Sequence, residues 1–208
     1  MARPRGSENA GTAARRAAML DAVWRAMRAA DGRPLSWREM AAAAGVGPAT
    51  LAHHFGKRDD VVAAVLAAKR AEGAEPLAIL AAPSDPDPEV SLRDALDHMI
   101  LGLERFDVGD LVALGLREGL YHPRLGPAFM SNGLEPILAG LAARVAAHRD
   151  RGEVGADVDP RLAAQMLAGP VLMAYLHQSP LGGADAAPTD LSALAHGLVA
   201  ALAPSLRP

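Results

Sequence analysis

The sequence predicts an all-α protein on three observations. Apolar residues recur at three- and four-residue spacing through most of the chain. No stretch alternates apolar and polar residues as a half-buried strand would. Glycine and proline fall between the apolar stripes, where they end helices. About nine helices are expected: a three-helix unit at the front and a larger helical bundle behind it.

The elements follow in chain order. Met1 to about Glu8 reads as an arm carrying Arg3 and Arg5. A first helix runs from about Asn9 to Ala30, with Leu20, Val23, Trp24 and Met27 on one face, and Asp31-Gly32-Arg33-Pro34 ends it. Trp24 and Trp37 are expected in the core of the front unit. A fourth helix begins near Arg58, with Asp59 and Asp60 in its first turn and a stripe of Val61, Val62, Val65 and Leu66. Gly73 and Pro76 interrupt it, and Pro83 to Glu89 cannot be helical throughout. From Glu89 onward the pattern is helical. Stripes run over Leu92 to Phe106, Asp110 to Leu120, Leu134 to Val145, Pro160 to Gln178 and Pro188 to Leu202.

The stretch from Ser36 to Val61 is the most specific. Ser36 followed three residues later by Glu39 is a capping box, so a helix starts at Trp37. Gly45 stops it, because a left-handed backbone is least costly for glycine. Gly47 and Pro48 suit the N-cap and first position of a second, short helix reaching about His54. Two helices joined by a glycine turn make a helix-turn-helix, whose second helix fits a DNA major groove. Pro48, Ala49, Thr50 and His53 fall on its outward face, while Leu51 and Phe55 point inward. The Thr50 hydroxyl and the imidazoles of His53 and His54 can meet phosphate or a base edge, and Ala49 a thymine methyl. Ser36, Arg38, Gly47, Lys57 and Arg58 lie at helix starts and turns, where amides and positive charge favour phosphate.

MAAAAGVGPATLAHHFGKRDDV resembles the DNA-binding signature of the TetR-type family of transcriptional regulators, IAxxAGVSxGTLYxHFxSKxxL. Met40, Ala41, Ala44, Gly45, Val46, Thr50, Leu51, His54 and Phe55 match, with Arg58 and Val61 similar in charge or shape. Two positions depart: Gly47 stands for the usual Ser, and Ala52 for a Tyr that reaches phosphate in the family. The resemblance implies a DNA-binding domain over residues 1–57 and a ligand-binding and dimerisation domain over 58–208. It also implies contacts to a palindromic double-stranded operator at Ser36, Thr50, His54 and Arg58, a small-molecule effector, and no enzymatic activity or cofactor.

Composition sets outer limits. The chain has 208 residues, no cysteine, two Trp, two Tyr and three Phe, so the core is aliphatic and has no disulfide or thiol chemistry. No apolar run is long enough for a membrane span, and the first twenty residues lack a signal-peptide core; a cytoplasmic location is expected. The net charge of −3 conceals an asymmetry: twelve Lys/Arg face six Asp/Glu up to Arg70, and nine face eighteen beyond it. A basic front suits a polyphosphate partner.

Pro160 to Gln178 is apolar on nearly every side and so needs cover, which a second subunit would supply. Ala164, Ala168 and Leu172 there, with Leu191, Leu194, Leu198 and Ala201 on the last helix, are the candidate dimer interface; the resemblance also implies a four-helix dimer contact. The effector pocket implied by the resemblance draws its candidates from the bundle: Met99, Leu103, Phe106, Leu116 and Tyr121, then Phe129, Met130, Met166, Met173 and Tyr175. Their Met- and Leu-rich character points to a mainly apolar effector. Glu118 and His122 are four residues apart, but Pro123 ends the helix and no third ligand is near in sequence, so no metal site is expected. GxSxG, HExxH, P-loop and dinucleotide-glycine patterns are all lacking. The alternatives are a regulator-like ligand- or protein-binding module with weakened DNA binding, motivated by Ala52, and a helical enzyme.

Overall fold

The computed structural model describes residues 10–30 and 32–208; the N-terminal arm with Arg3 and Arg5, Asn9 and Asp31 lie outside them. Among the described residues the fold is all α, with no strand. The helices are α1 (Ala10–Arg28), α2 (Trp37–Ala43), α3 (Pro48–Phe55), α4 (Arg58–Glu72), α5 (Ala74–Ala81) and α6 (Pro88–Arg105). They continue as α7 (Val108–Gly119), α8 (Leu125–Phe129), α9 (Glu135–Asp150), α10 (Pro160–Gln178) and α11 (Leu191–Leu206). A π-helical turn, Met130–Leu134, joins α8 to α9. The chain groups into two compact units, one holding residues up to Ala71 with Leu114–Phe129, the other Glu72–Ala113 with Met130–Pro208.

The first unit is built on α1. Met19, Val23, Trp24 and Met27 form its buried stripe, and Met40, Leu51, Val61, Val65 and Leu66 complete the core. Trp24 is 1% exposed and so belongs to this core, whereas Trp37 is half-buried. α8 was not evident in the sequence, because Gly126 and Pro127 read there as breakers. Gly126 instead permits a close crossing: a Cβ on it would lie 2.9 Å from the carbonyl oxygen of Gly119. Pro127 sits in the first turn of α8, where its missing N–H costs nothing.

In the second unit α10 packs on α9 and α11, α11 on α6, and α5 on α9. Leu92, Leu96, Leu141, Leu167, Val171 and Val199 are its innermost side chains. Asp87, Asp159 and Asp190 cap α6, α10 and α11 with their carboxylates. Arg144 on α9 is buried to 2% exposure without a carboxylate in hydrogen-bond contact. Its Nε donates to the Leu80 carbonyl at 2.9 Å and its Nη2 to that of Ile79 at 2.7 Å. Nη1 donates to the Ser91 carbonyl at 2.8 Å and to the hydroxyls of Ser91 and Ser84 at 3.0 and 3.1 Å. Burial pulls its pKa down, and Asp94, which accepts from the Ser84 hydroxyl, works against that.

Candidate nucleic-acid interface

The helix-turn-helix starts at the capping box. The Glu39 carboxylate accepts from the Ser36 N–H at 2.8 Å, and the Ser36 hydroxyl accepts from the Glu39 N–H at 3.4 Å. Arg33 pairs with both Glu39 oxygens, at 2.7 and 3.2 Å. That guanidinium, aided by the Ser36 hydrogen bonds, lowers the Glu39 pKa to about 2. Gly45 takes φ +67°, the left-handed turn that α2 needs to end, and Pro48 opens α3 behind Gly47.

On α3, Leu51 is completely buried while Pro48, Ala49, Thr50, Ala52 and His53 are exposed. His54 and Phe55 are half-buried. Phe55 meets a charge on α1: the Arg16 guanidinium carbon lies 4.6 Å from its ring centroid. Arg16 also donates to the His54 carbonyl, tying the end of α3 to α1. Arg16 carried no sequence signal, because an arginine on a helix reads as solvated surface.

The flanking residues divide. Ser36, Arg38, Gly47 and Lys57 are exposed. The Lys57 amide, however, donates to Asp60 at 2.8 Å and so is already capped. Arg58 departs from its expected phosphate role: its guanidinium turns inward, donating through Nε to the Leu35 carbonyl at 2.8 Å and pairing edge-on with Glu118. The reason is electrostatic, since Glu118 is only 6% exposed and a carboxylate so buried needs a cation. His122 Nε2 lies 3.3 Å from the Asp59 carboxylate and Arg124 pairs with Asp60, so the first turn of α4 is tied to the α7–α8 segment. The Lys57 amide, and after it Arg124, lowers the pKa of Asp60, and Asp60 in turn raises that of Arg124.

The effector candidates are scattered. Met99, Leu103, Phe129 and Tyr175 are buried, and Leu116 is half-buried. Phe106, Tyr121, Met130, Met166 and Met173 lie on the surface of the chain. Tyr175 packs against Gly109, where a Cβ would fall 1.9 Å from its hydroxyl; burial raises its pKa. Of the interface candidates, Ala164, Ala168 and Leu191 are buried within the chain itself, Leu172, Leu194 and Leu198 are half-buried, and Ala201 is exposed. The open apolar side of α10 is instead Leu162, Met166, Gly169 and Met173. A helix apolar all round hides which side faces inward, so the sequence could not separate the two. Among the described residues no cluster of three metal-ligating side chains occurs, and no helix is long and apolar enough to cross a membrane.

Residues 82–189 match the family model described as the tetracycline repressor-like C-terminal domain. The chain belongs to the TetR family of transcriptional regulators. Members of this family regulate transcription by binding DNA and are not enzymes, which removes the helical-enzyme alternative. Solved structures share the fold. A protein from Mesorhizobium loti assigned to the TetR-family regulators aligns with a TM-score of 0.76 at 22% identity, over 92% of this chain and 96% of that one. FadR from Bacillus subtilis, solved in complex with stearoyl-CoA, aligns at 0.65 and 18% identity over 89% and 96%. SmeT, the repressor of the Stenotrophomonas maltophilia multidrug efflux pump SmeDEF, aligns at 0.60 and 20% identity over 91% and 89%. No curated protein matches the chain by sequence.

Proposed function

We propose that this TetR-family chain is a cytoplasmic repressor that binds a palindromic operator as a homodimer and is released by a small, mainly apolar effector. DNA binding is assigned to residues 1–57, effector binding and dimerisation to 58–208. The observation that carries the reading is α3: two turns with Leu51 fully buried and Pro48, Ala49, Thr50 and His53 all presented outward. Ser36, Arg38, Gly47 and Lys57 flank that face and would meet phosphate, with His54 at its edge. The exposed Leu162, Met166 and Met173 on α10, with Ala201 on α11, favour a second copy as cover. FadR of Bacillus subtilis holding stearoyl-CoA is consistent with an apolar effector. Release requires only that the effector prefer the conformation that fits the operator poorly.

Operator selection followed by a mobility shift over a salt series tests this. A sequence preference, with affinity falling steeply as salt rises, supports the repressor; equal affinity for all sequences sinks it. Ala52 favours a second reading, a module with weakened DNA binding. It is exposed on α3 where the family signature has a phosphate-reaching Tyr. Ala52→Tyr then tightens DNA binding with little change in sequence preference.

A further inference from the structure

Glu118 is asked to serve two cations. Its oxygens take Arg58 edge-on at 2.9 and 3.0 Å. Arg117, its neighbour on α7, brings a second guanidinium whose Nη2 lies 3.5 Å from Glu118 Oε1, too far for a good hydrogen bond. The Arg117 side chain is only 20% exposed. Its Nε and Nη2 are both closed to solvent and have no hydrogen-bond partner. Two guanidinium groups thus share Glu118, with the Asp59 carboxylate 4.0 Å from Arg58 as a further anion, and two donors of Arg117 stay without a partner. Such a cation is costly to bury, and a chain that keeps one calls for an acceptor from outside. Nε–H and the adjacent Nη2–H form the side-on fork of the guanidinium, which matches the two oxygens of a carboxylate.

We propose that Arg117 receives the carboxylate of the effector, so that the effector is an acid with an apolar body rather than a neutral apolar molecule. This rests on the effector-released regulator proposed above. A carboxylate on Arg117 places a second negative charge beside Glu118. Glu118 holds Arg58, the first residue of α4, and Arg58 in turn donates to the Leu35 carbonyl just before α2. Anion binding is therefore felt at both ends of the helix-turn-helix through groups already in contact.

The test is a titration of isotope-labelled protein with octanoate and with octanamide, following the Arg117 Nε–H signal, assigned by its loss in Arg117→Lys. A saturable shift with octanoate, at an affinity at least about tenfold above octanamide, is expected. Arg117→Met abolishes that discrimination and leaves the ligand-free Tm unchanged or higher, because two buried donors without hydrogen-bond partners have gone. Equal binding of the two probes, no binding of octanoate, or a lower Tm for Arg117→Met overturns the proposal. Operator mobility shifts run alongside separate it from the reading it rests on. If octanamide releases the operator as well as octanoate does, the regulator stands and the role of Arg117 fails. If octanoate fills Arg117 while the operator stays bound, the anion site stands and its effector role fails.

Discussion

Arg58 and Glu118, sixty positions apart in sequence, meet edge to edge, with Nη1 2.9 Å from Oε2 and Nη2 3.0 Å from Oε1. The pair joins the first residue of α4 to the last turn of α7. Glu118→Gln removes the charge with little change of shape and leaves Arg58 only the more distant Asp59 carboxylate, 4.0 Å away. The expected cost is about 1–3 kcal/mol, read as a lower urea midpoint with an unchanged slope. Arg58→Met combined with Glu118→Leu is expected to recover only part of that loss, because Arg117 then loses its carboxylate as well.

DNA binding is expected to depend on the outward side chains of α3 and not on their contribution to folding. Thr50→Ala with His53→Ala lowers specific operator affinity at least about tenfold and leaves the thermal midpoint nearly unchanged, because both residues are exposed. A mobility shift paired with calorimetry checks both halves. Unchanged specific affinity would remove α3 from the interface.

Glu39 gives the start of α2 a dependence on pH. Its folded pKa of about 2 lies below the usual 4.5, chiefly because of Arg33. The native state therefore binds this proton more weakly than the unfolded chain does. The stabilisation is complete above pH 4.5 and is lost as pH falls through about 2. Thermal unfolding of wild type and Glu39→Gln from pH 6 downward should converge in acid; a constant gap between the two curves would contradict this.

The dimer prediction follows the open side of α10. Met166→Arg places a charge on an exposed apolar face, so it is expected to convert the proposed dimer to monomer while leaving helicity intact. Ala164→Arg, at a fully buried position, instead unfolds the second unit. Sedimentation velocity and circular dichroism separate the two outcomes.

These cases mark how far the sequence could be read. The capping box, the left-handed Gly45 and Pro48 at the first turn of α3 were legible because each is fixed within four residues of chain. Arg58 was not: a basic residue at a helix start has the same local sequence whether it meets phosphate or a carboxylate sixty positions away. The π-turn escaped because Gly133 and Pro136 resemble breakers, and they are absorbed by a helix that changes its hydrogen-bond step there. The inward sides of α10 and α11 were hidden for a different reason, uniform apolarity. For the effector, residue type alone could not distinguish buried Leu103 from exposed Phe106.

The buried guanidinium of Arg144 carries a lesson for protein engineering. Lengthening or excising chain between Ile79 and Ser91 would pull oxygens away from a guanidinium buried to 2% exposure. A tag, fluorophore or inserted domain therefore belongs in the exposed stretch 184–188, ahead of the Asp190 cap of α11.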